Sequence, residues 1–290
     1  MISPAVARRR LGAELRRLRI EADIPVEKAA EALECSASKI SRLETGVGVP
    51  RTRDVRDLID LIGGEAEDRR KELLELAEEG RAQAWYHEFN DLLDPTSSLL
   101  RFIDLESGAS EELTYGGAWV PGLLQTPAYT EALFRALRPV MSDEDVQRFV
   151  ALRMGRKIVL TRRTSPMRLT AVVDEAVLLR RVGGPSVMRE QLVALRTAAL
   201  EPSANVDVRL LPFSAGIHRL LAGDLTVLRF DGEEEDVVLA EGHAAQGFEE
   251  RPAEVQNAIG TFQSALKLTS GGTQFAHRLS EVIDVLVTES

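Results

Sequence analysis

Apolar positions along the first sixty residues recur with the period of an α-helix. Val6, Leu11, Leu15 and Leu18 share one face of a segment running from about Pro4 to Glu21. That spacing predicts a first helix with a buried stripe, and Arg8, Arg9, Arg16 and Arg17 lie largely off it. A break follows at "ADIP". Pro25 suits the first turn of a second helix, where its missing N–H costs nothing, and Val26, Ala29, Ala30 and Leu33 supply small and apolar contacts. After "LEC", Ser36 is an N-cap candidate for a third helix. Ile40 and Leu43 of that helix face inward, while Ala37, Ser38, Lys39, Ser41 and Arg42 cover its outward surface. Gly46 fits a left-handed cap after the last turn. "TRDVRDLIDLI" reads as a fourth helix with Val55, Leu58, Ile59 and Ile62 on one side.

The pattern then changes twice. Residues 65–94 open as a charged run in which Leu73, Leu76 and Ala77 mark a helical stripe. They are expected to form a helical linker between a domain at 1–64 and a larger one at 95–290. The larger part opens with a helix expected to reach about Glu112, then an irregular segment with Trp119, Pro121, Gly122, Leu123 and Leu124 in an apolar turn. Helices follow at "PAYTEALFRAL" and from Asp143. "MRLTAVVD", "VDVRLLPF", "LTVLRF" and "DVVLAE" are strand candidates, with helices between the first two and at about 252–268 and 273–287. The expected fold is an all-α helix-turn-helix head followed by an α+β C-terminal domain with a small sheet. The first strand-helix-strand connection is long enough for a parallel crossover.

Charge sharpens the reading of the head. The chain has 36 Lys/Arg and 46 Asp/Glu, a net charge of −10, which is unfavourable for a partner of polyanionic DNA. The imbalance is not uniform. Residues 1–56 hold 12 Lys/Arg and 8 Asp/Glu, a local +4, and the remainder holds 24 and 38, or −14. DNA attraction depends on the local surface. Two short helices joined by a three- or four-residue turn make a helix-turn-helix, whose second helix enters the major groove by its N-terminal residues. Here those residues are small (Ala37, Ser38), with Lys39 and Arg42 long enough to reach bases or phosphates, and an arginine can grip guanine with two hydrogen bonds. A purely structural bundle would need no such face. Ser36, Ser41 and Arg51 complete the candidate DNA-contacting set.

The stretch "LGAELRRLRIEADIPVEKAAEALECSASKISRLETG", residues 11–46, resembles the XRE (phage-repressor-like) helix-turn-helix family, which implies a lambda-repressor-like head. The resemblance places the base-reading positions on Ala37, Ser38 and Arg42, with Lys39 beside them. It also implies an ion pair between Arg19 and Glu44 that orients the head, and both sit at the edge of the apolar stripe. One departure stands out: many members carry Gln or Thr at the start of the second helix to touch phosphate, and this chain has Pro25 and Val26. Backbone N–H groups must serve there, or the contact is lost. "VPGLLQTPAY" (120–129), "DEAVLLRRVGG" (174–184), "REQLVAL" (189–195) and "VRLLPFSAGIH" (208–218) resemble the uncharacterised C-terminal domain behind such heads in actinobacterial regulators, the WhiJ-type developmental regulators among them. That resemblance implies a transcriptional regulator, sometimes in an antitoxin-like arrangement with a small protein partner.

No enzyme signature competes. "VGG" at 182–184 is too weak for a phosphate loop, and there is neither a nucleophile elbow nor a metalloprotease motif. Asp174 and Glu175 could be a carboxylate pair, although an acid opening a helix is the simpler account. The histidines, His87, His218, His243 and His277, have no ligand spacing, and the lone Cys35 excludes internal disulfides. No metal, cofactor or catalytic residue is expected. Without an apolar signal or a run of about 18 apolar residues, a cytoplasmic protein is expected. Trp85, Tyr86, Trp119, Phe213 and His218 are either packing residues or a ligand or partner surface. The expected function is a sequence-specific double-stranded DNA-binding regulator. It would act as a homodimer on an inverted repeat, and its C-terminal domain would receive a small-molecule or protein signal. The alternative is an antitoxin-like module that sequesters a small partner and binds DNA secondarily.

Overall fold

The computed structural model describes residues 4–81, 85–89, 91–92, 98–163, 165–201, 205–231, 235–241 and 246–288. The chain divides into two compact units, at His87/Glu88.

The first unit is all helical: α1 (Pro4–Glu21), α2 (Val26–Ala32), α3 (Ala37–Glu44), α4 (Thr52–Ile62), α5 (Glu65–Asp68) and α6 (Arg70–Arg81). Leu11, Leu15 and Leu18 of α1 meet Ala29, Ala30, Ile40, Leu43, Val55, Leu58 and Ile59 in one core. Each large aliphatic side chain buried there contributes about 1.5–3 kcal/mol relative to exposure. The segment expected as a linker does more than connect. Ala66, Leu73 and Ala77 are fully buried in the same core, so α5 and α6 close the bundle. The charges around them work as fasteners. Arg69 bonds Glu14 of α1 and Glu72, while Arg17 bonds Glu65. Such pairs gave the run the look of a solvated link.

The second unit is built on one mixed sheet. Its elements are α7 (Ser98–Gly108), β1 (Glu111–Gly116), α8 (Pro127–Leu137), α9 (Asp143–Arg156), α10 (Ile158–Thr161), β2 (Arg168–Asp174), α11 (Glu175–Leu179), α12 (Pro185–Leu200), β3 (Val206–Leu211), β4 (Asp224–Arg229), β5 (Val237–Glu241), β6 (Gln246–Glu249), α13 (Pro252–Leu266), β7 (Ser270–Gly271) and α14 (Gly272–Thr288). The strand order is β6-β5-β4-β1-β2-β3-β7. β1, β2 and β3 run parallel, and β4, β5, β6 and β7 join antiparallel. α8, α12 and α14 bury Val173, Val208 and Leu210 on one face. α13 buries Val172, Val227 and Val238 on the other with Phe262.

The helix expected to run through Glu112 stops at Gly108, and β1 follows it in the middle of the sheet. The reason lies in the two faces of β1. Leu113 and Tyr115 belong to the α13 core. Glu112 and Thr114, on the opposite face, are buried too. A strand with buried polar residues shows no apolar alternation, so its sequence reads as a helix end and a loop.

Candidate nucleic-acid interface

The turn between α2 and α3 is short, residues 33–36. Cys35 N–H donates to Ala30 O at 2.9 Å, and Glu34 takes a left-handed φ of 49°. Ser36 then caps α3: its hydroxyl accepts the Lys39 N–H at 3.2 Å. Ile40 and Leu43 turn into the core, and Ala37 is half-buried against it. Ser38, Ser41 and Arg42 are left exposed along one side. α3 ends at Gly46 (φ 68°), where a Cβ would lie 2.9 Å from the Arg9 Cα. Gly12 performs a related task in α1. A Cβ there would fall 2.6 Å from the carbonyl oxygens of Leu43 and Glu44, so bare backbone lets α1 cross the end of α3.

Arg19 and Glu44 fix that crossing. Arg19 Nε donates to Glu44 Oε1 at 2.5 Å and Nη2 to Oε2 at 2.9 Å. Nη1 donates to the Ile24 carbonyl at 2.6 Å. Both side chains are buried, and the Glu44 hydrogen bonds hold the guanidinium above its ordinary pKa. Bidentate geometry sets an angle between two helices as well as a distance.

Ser36, Ser38, Lys39, Arg42 and Arg51 surround a concavity of about 290 Å³ beside α3. Ala37 and Ser41 lie outside its lining. Arg42 and Arg51 are exposed. Lys39 is partly neutralised by Asp54 of α4 at 2.6 Å, a pairing that local spacing does not reveal because it joins two helices. At α2, Pro25 is the N-cap and provides no side-chain capping bond. The first-turn N–H groups of that helix therefore depend on solvent or an external acceptor.

The aromatic candidates fall into both units. Trp85 and Tyr86 are edge-to-face at 5.7 Å in the first, with Tyr86 buried. In the second, Trp119 is half-buried, Phe213 is exposed and the His218 side chain is nearly buried. His218 packs edge-to-face on Tyr115, whose hydroxyl donates to Asp174 at 2.9 Å. Asp174 also caps α11, and Glu175 accepts from Arg278 and from the Phe213 N–H. Both carboxylates are thus engaged in holding loops. His243 lies outside the described residues. Among the described residues no cluster of His, Cys, Asp and Glu is arranged to hold a metal ion, and no helix is long and apolar enough to cross a membrane.

Sequence reasoning missed one buried constellation in the second unit. Arg156 of α9 donates to both oxygens of Glu106 of α7, at 2.8 and 2.6 Å. Glu112 of β1 lies beside that pair. Burial first, then the nearby Glu106 charge, raises the Glu112 carboxyl well above the usual range. The three residues are far apart in the chain, and no local spacing announces them.

Comparison with known proteins agrees with this division. A helix-turn-helix domain model matches residues 10–73, covering α1 to α5 almost entire and the first residues of α6. A model described as a domain of unknown function (DUF5753) matches residues 99–280. No curated protein and no solved structure matches the chain. The chain therefore belongs to the DUF5753 family, with a helix-turn-helix domain ahead of the family's own domain.

Proposed function

We propose that the protein is an XRE-type transcriptional regulator of the WhiJ-like kind. It would read double-stranded DNA through α3 and bind an inverted repeat as a homodimer. The helix-turn-helix domain supports a DNA-binding regulatory role in general. The observation that carries the finer reading is the outward side of α3. Small serines flank the exposed Arg42, and the helix is held rigid by the Ser36 cap and the Arg19–Glu44 clasp. Small residues admit the backbone to the groove, and the arginine has the reach and geometry for guanine. Arg51 and the first turn of α4 beside it suit phosphate.

One short helix reads only a few base pairs, so two heads on a two-fold axis gain both site length and effective concentration. The second unit supplies the dimer surface and receives the signal, and it carries out no reaction. Its acidic surface disfavours stray DNA contacts. In a selection of random duplexes, the full chain should enrich an inverted repeat, and light scattering should give about twice 31.9 kDa. Arg42→Ala should cost about 1–3 kcal/mol of specific affinity and relax preference at one base pair per half-site. An unchanged footprint and affinity in that variant would refute the placement of α3 in the groove.

A further inference from the structure

The second unit has an open-sided cavity of about 300 Å³ beside β1, β4 and β5, lined also by α8 and α9. That is the small end of the range for ligand sites. Its floor is a polar stripe. Glu112 and Thr114 rise from β1, and Asp224 and Thr226 from β4. Thr114 and Thr226 are cross-strand partners with their hydroxyls 3.0 Å apart. Its walls are apolar, with Phe102, Trp119, Leu133 and Phe134.

The cavity carries both signs of charge. Arg153 and Arg156 enter from α9, and Gly122 gives them room: a Cβ there would lie 2.8 Å from Arg153 Nη1 and 3.0 Å from Arg156 Nη1. Arg138 adds a third guanidinium at the end of α8. Arg156 is already committed to Glu106. Asp224 supplies the opposite charge. Its Oδ1 accepts the Gly117 N–H at 2.8 Å, which fixes the carboxylate at the end of the stripe. Glu112 Oε2 is buried without a well-formed hydrogen bond among the described residues, although the Glu112 carboxyl lies close enough to Glu106 for the two to share a proton. A buried polar atom left in that state costs stability unless something outside the fold satisfies it.

These features discriminate among ligands. A simple cation would meet the guanidiniums. A multiply charged anion would meet Asp224. A wholly apolar molecule would leave the floor oxygens without donors. We propose that the cavity binds a small zwitterion with an apolar body, of the class of hydrophobic α-amino acids. The ammonium lies against Asp224 and Thr226, the carboxylate toward Arg138 and Arg153, whose guanidinium lies over the Phe134 ring, and the side chain against Trp119 and Leu133. The proposal rests on the reading of this unit as the receiver of a signal, and it names the site and the ligand class.

Trp119 is a built-in reporter, since the chain has two tryptophans. In the full chain carrying Trp85→Phe, titration with leucine, isoleucine, valine, methionine or phenylalanine should give a saturable change in tryptophan emission for at least one. The corresponding amine and the corresponding acid should each bind at least about tenfold more weakly, as expected for loss of one charge-assisted contact. Asp224→Asn and Arg153→Gln should weaken binding by a similar factor, with a cooperative thermal transition of each variant showing that it is folded. Calorimetry on the unaltered chain should give the same ranking without relying on the tryptophan substitution. No saturable binding of any of the five up to about 10 mM, a ceiling near −3 kcal/mol, would overturn the proposal. An amine or acid alone binding as tightly as the amino acid would overturn it as well. The footprint of the same protein on DNA is read separately. An intact footprint without amino-acid binding defeats this site alone, and amino-acid binding without a footprint supports it while defeating the DNA-regulator reading.

Discussion

An arginine–glutamate clasp is buried in each unit, and the two differ in what surrounds them. Arg19–Glu44 is a closed set. Both carboxylate oxygens and all three guanidinium nitrogens have partners, the third being the Ile24 carbonyl. Arg156–Glu106 is equally bidentate but adjoins a second buried acid, Glu112, and a cavity. A satisfied buried pair positions structure and little else, because its net contribution to stability is small once desolvation is counted. A pair with an extra carboxyl beside it keeps a polar surface in reserve at some cost in stability. The first arrangement suits a rigid helix-turn-helix domain, and the second leaves a buried acid at the edge of a cavity.

Removing each arginine separates the two clasps. Arg156→Met strands Glu106 next to Glu112, and the second unit should lose stability near the upper end of about 3–5 kcal/mol. Arg19→Met strands only Glu44, so the loss in the first unit should fall near the lower end of the same range of about 3–5 kcal/mol. Urea titrations followed by circular dichroism check both, and a larger loss at Arg19 than at Arg156 would contradict the contrast. Replacing Arg19 and Glu44 together by Met and Leu should recover most of the loss, since no charge is then left unpaired.

A gentler effect sharpens it. The Glu112 carboxyl is raised in the folded state, so folding favours its protonated form. Stability from this group is full below the ordinary carboxylate value of 4.5. It is lost progressively as pH rises toward the folded value, at up to about 1.4 kcal/mol per pH unit. Glu112→Gln should therefore flatten the decline in stability of the second unit as pH rises above 4.5. Glu44→Gln in the head should show no such flattening. The smallest effect concerns α3. Ser36→Ala removes its cap and should cost about 1 kcal/mol, read as a lower melting temperature of the first unit and weaker DNA binding by the full chain.

The head was legible residue by residue, and the body element by element apart from β1, β6 and β7. Leu11, Leu15 and Leu18, then Ile40 with Leu43, and Val55 with Leu58 and Ile59, state their faces by spacing alone, and all are buried. The Ser36 cap and the left-handed Gly46 follow from side-chain chemistry and the absence of a Cβ. The charged run after residue 64 showed Leu73 and Ala77 as a stripe but not the core they join, because its fasteners, Arg69 to Glu14 and Arg17 to Glu65, link different helices. β1 was hidden for a related reason. Its polar residues face a cavity, where the apolar alternation that betrays a strand is absent. The strand pair β2 and β3 was legible, because both are apolar runs separated by a helix of the right length. β6 and β7, at the two edges, are too short to carry a pattern.

What the sequence determined by itself was everything set within about one helical turn: helix faces, caps, the short turn before α3, and the exposed Ser38, Ser41 and Arg42 on its outer side. These depend on rotation and rise per residue, which are fixed by the backbone. What only the tertiary structure decided was which distant groups share a desolvated space. Glu106, Glu112 and Arg156 come from α7, β1 and α9. Their charges interact strongly because packing has removed water between them. That removal belongs to the assembled unit and to no single segment of the chain.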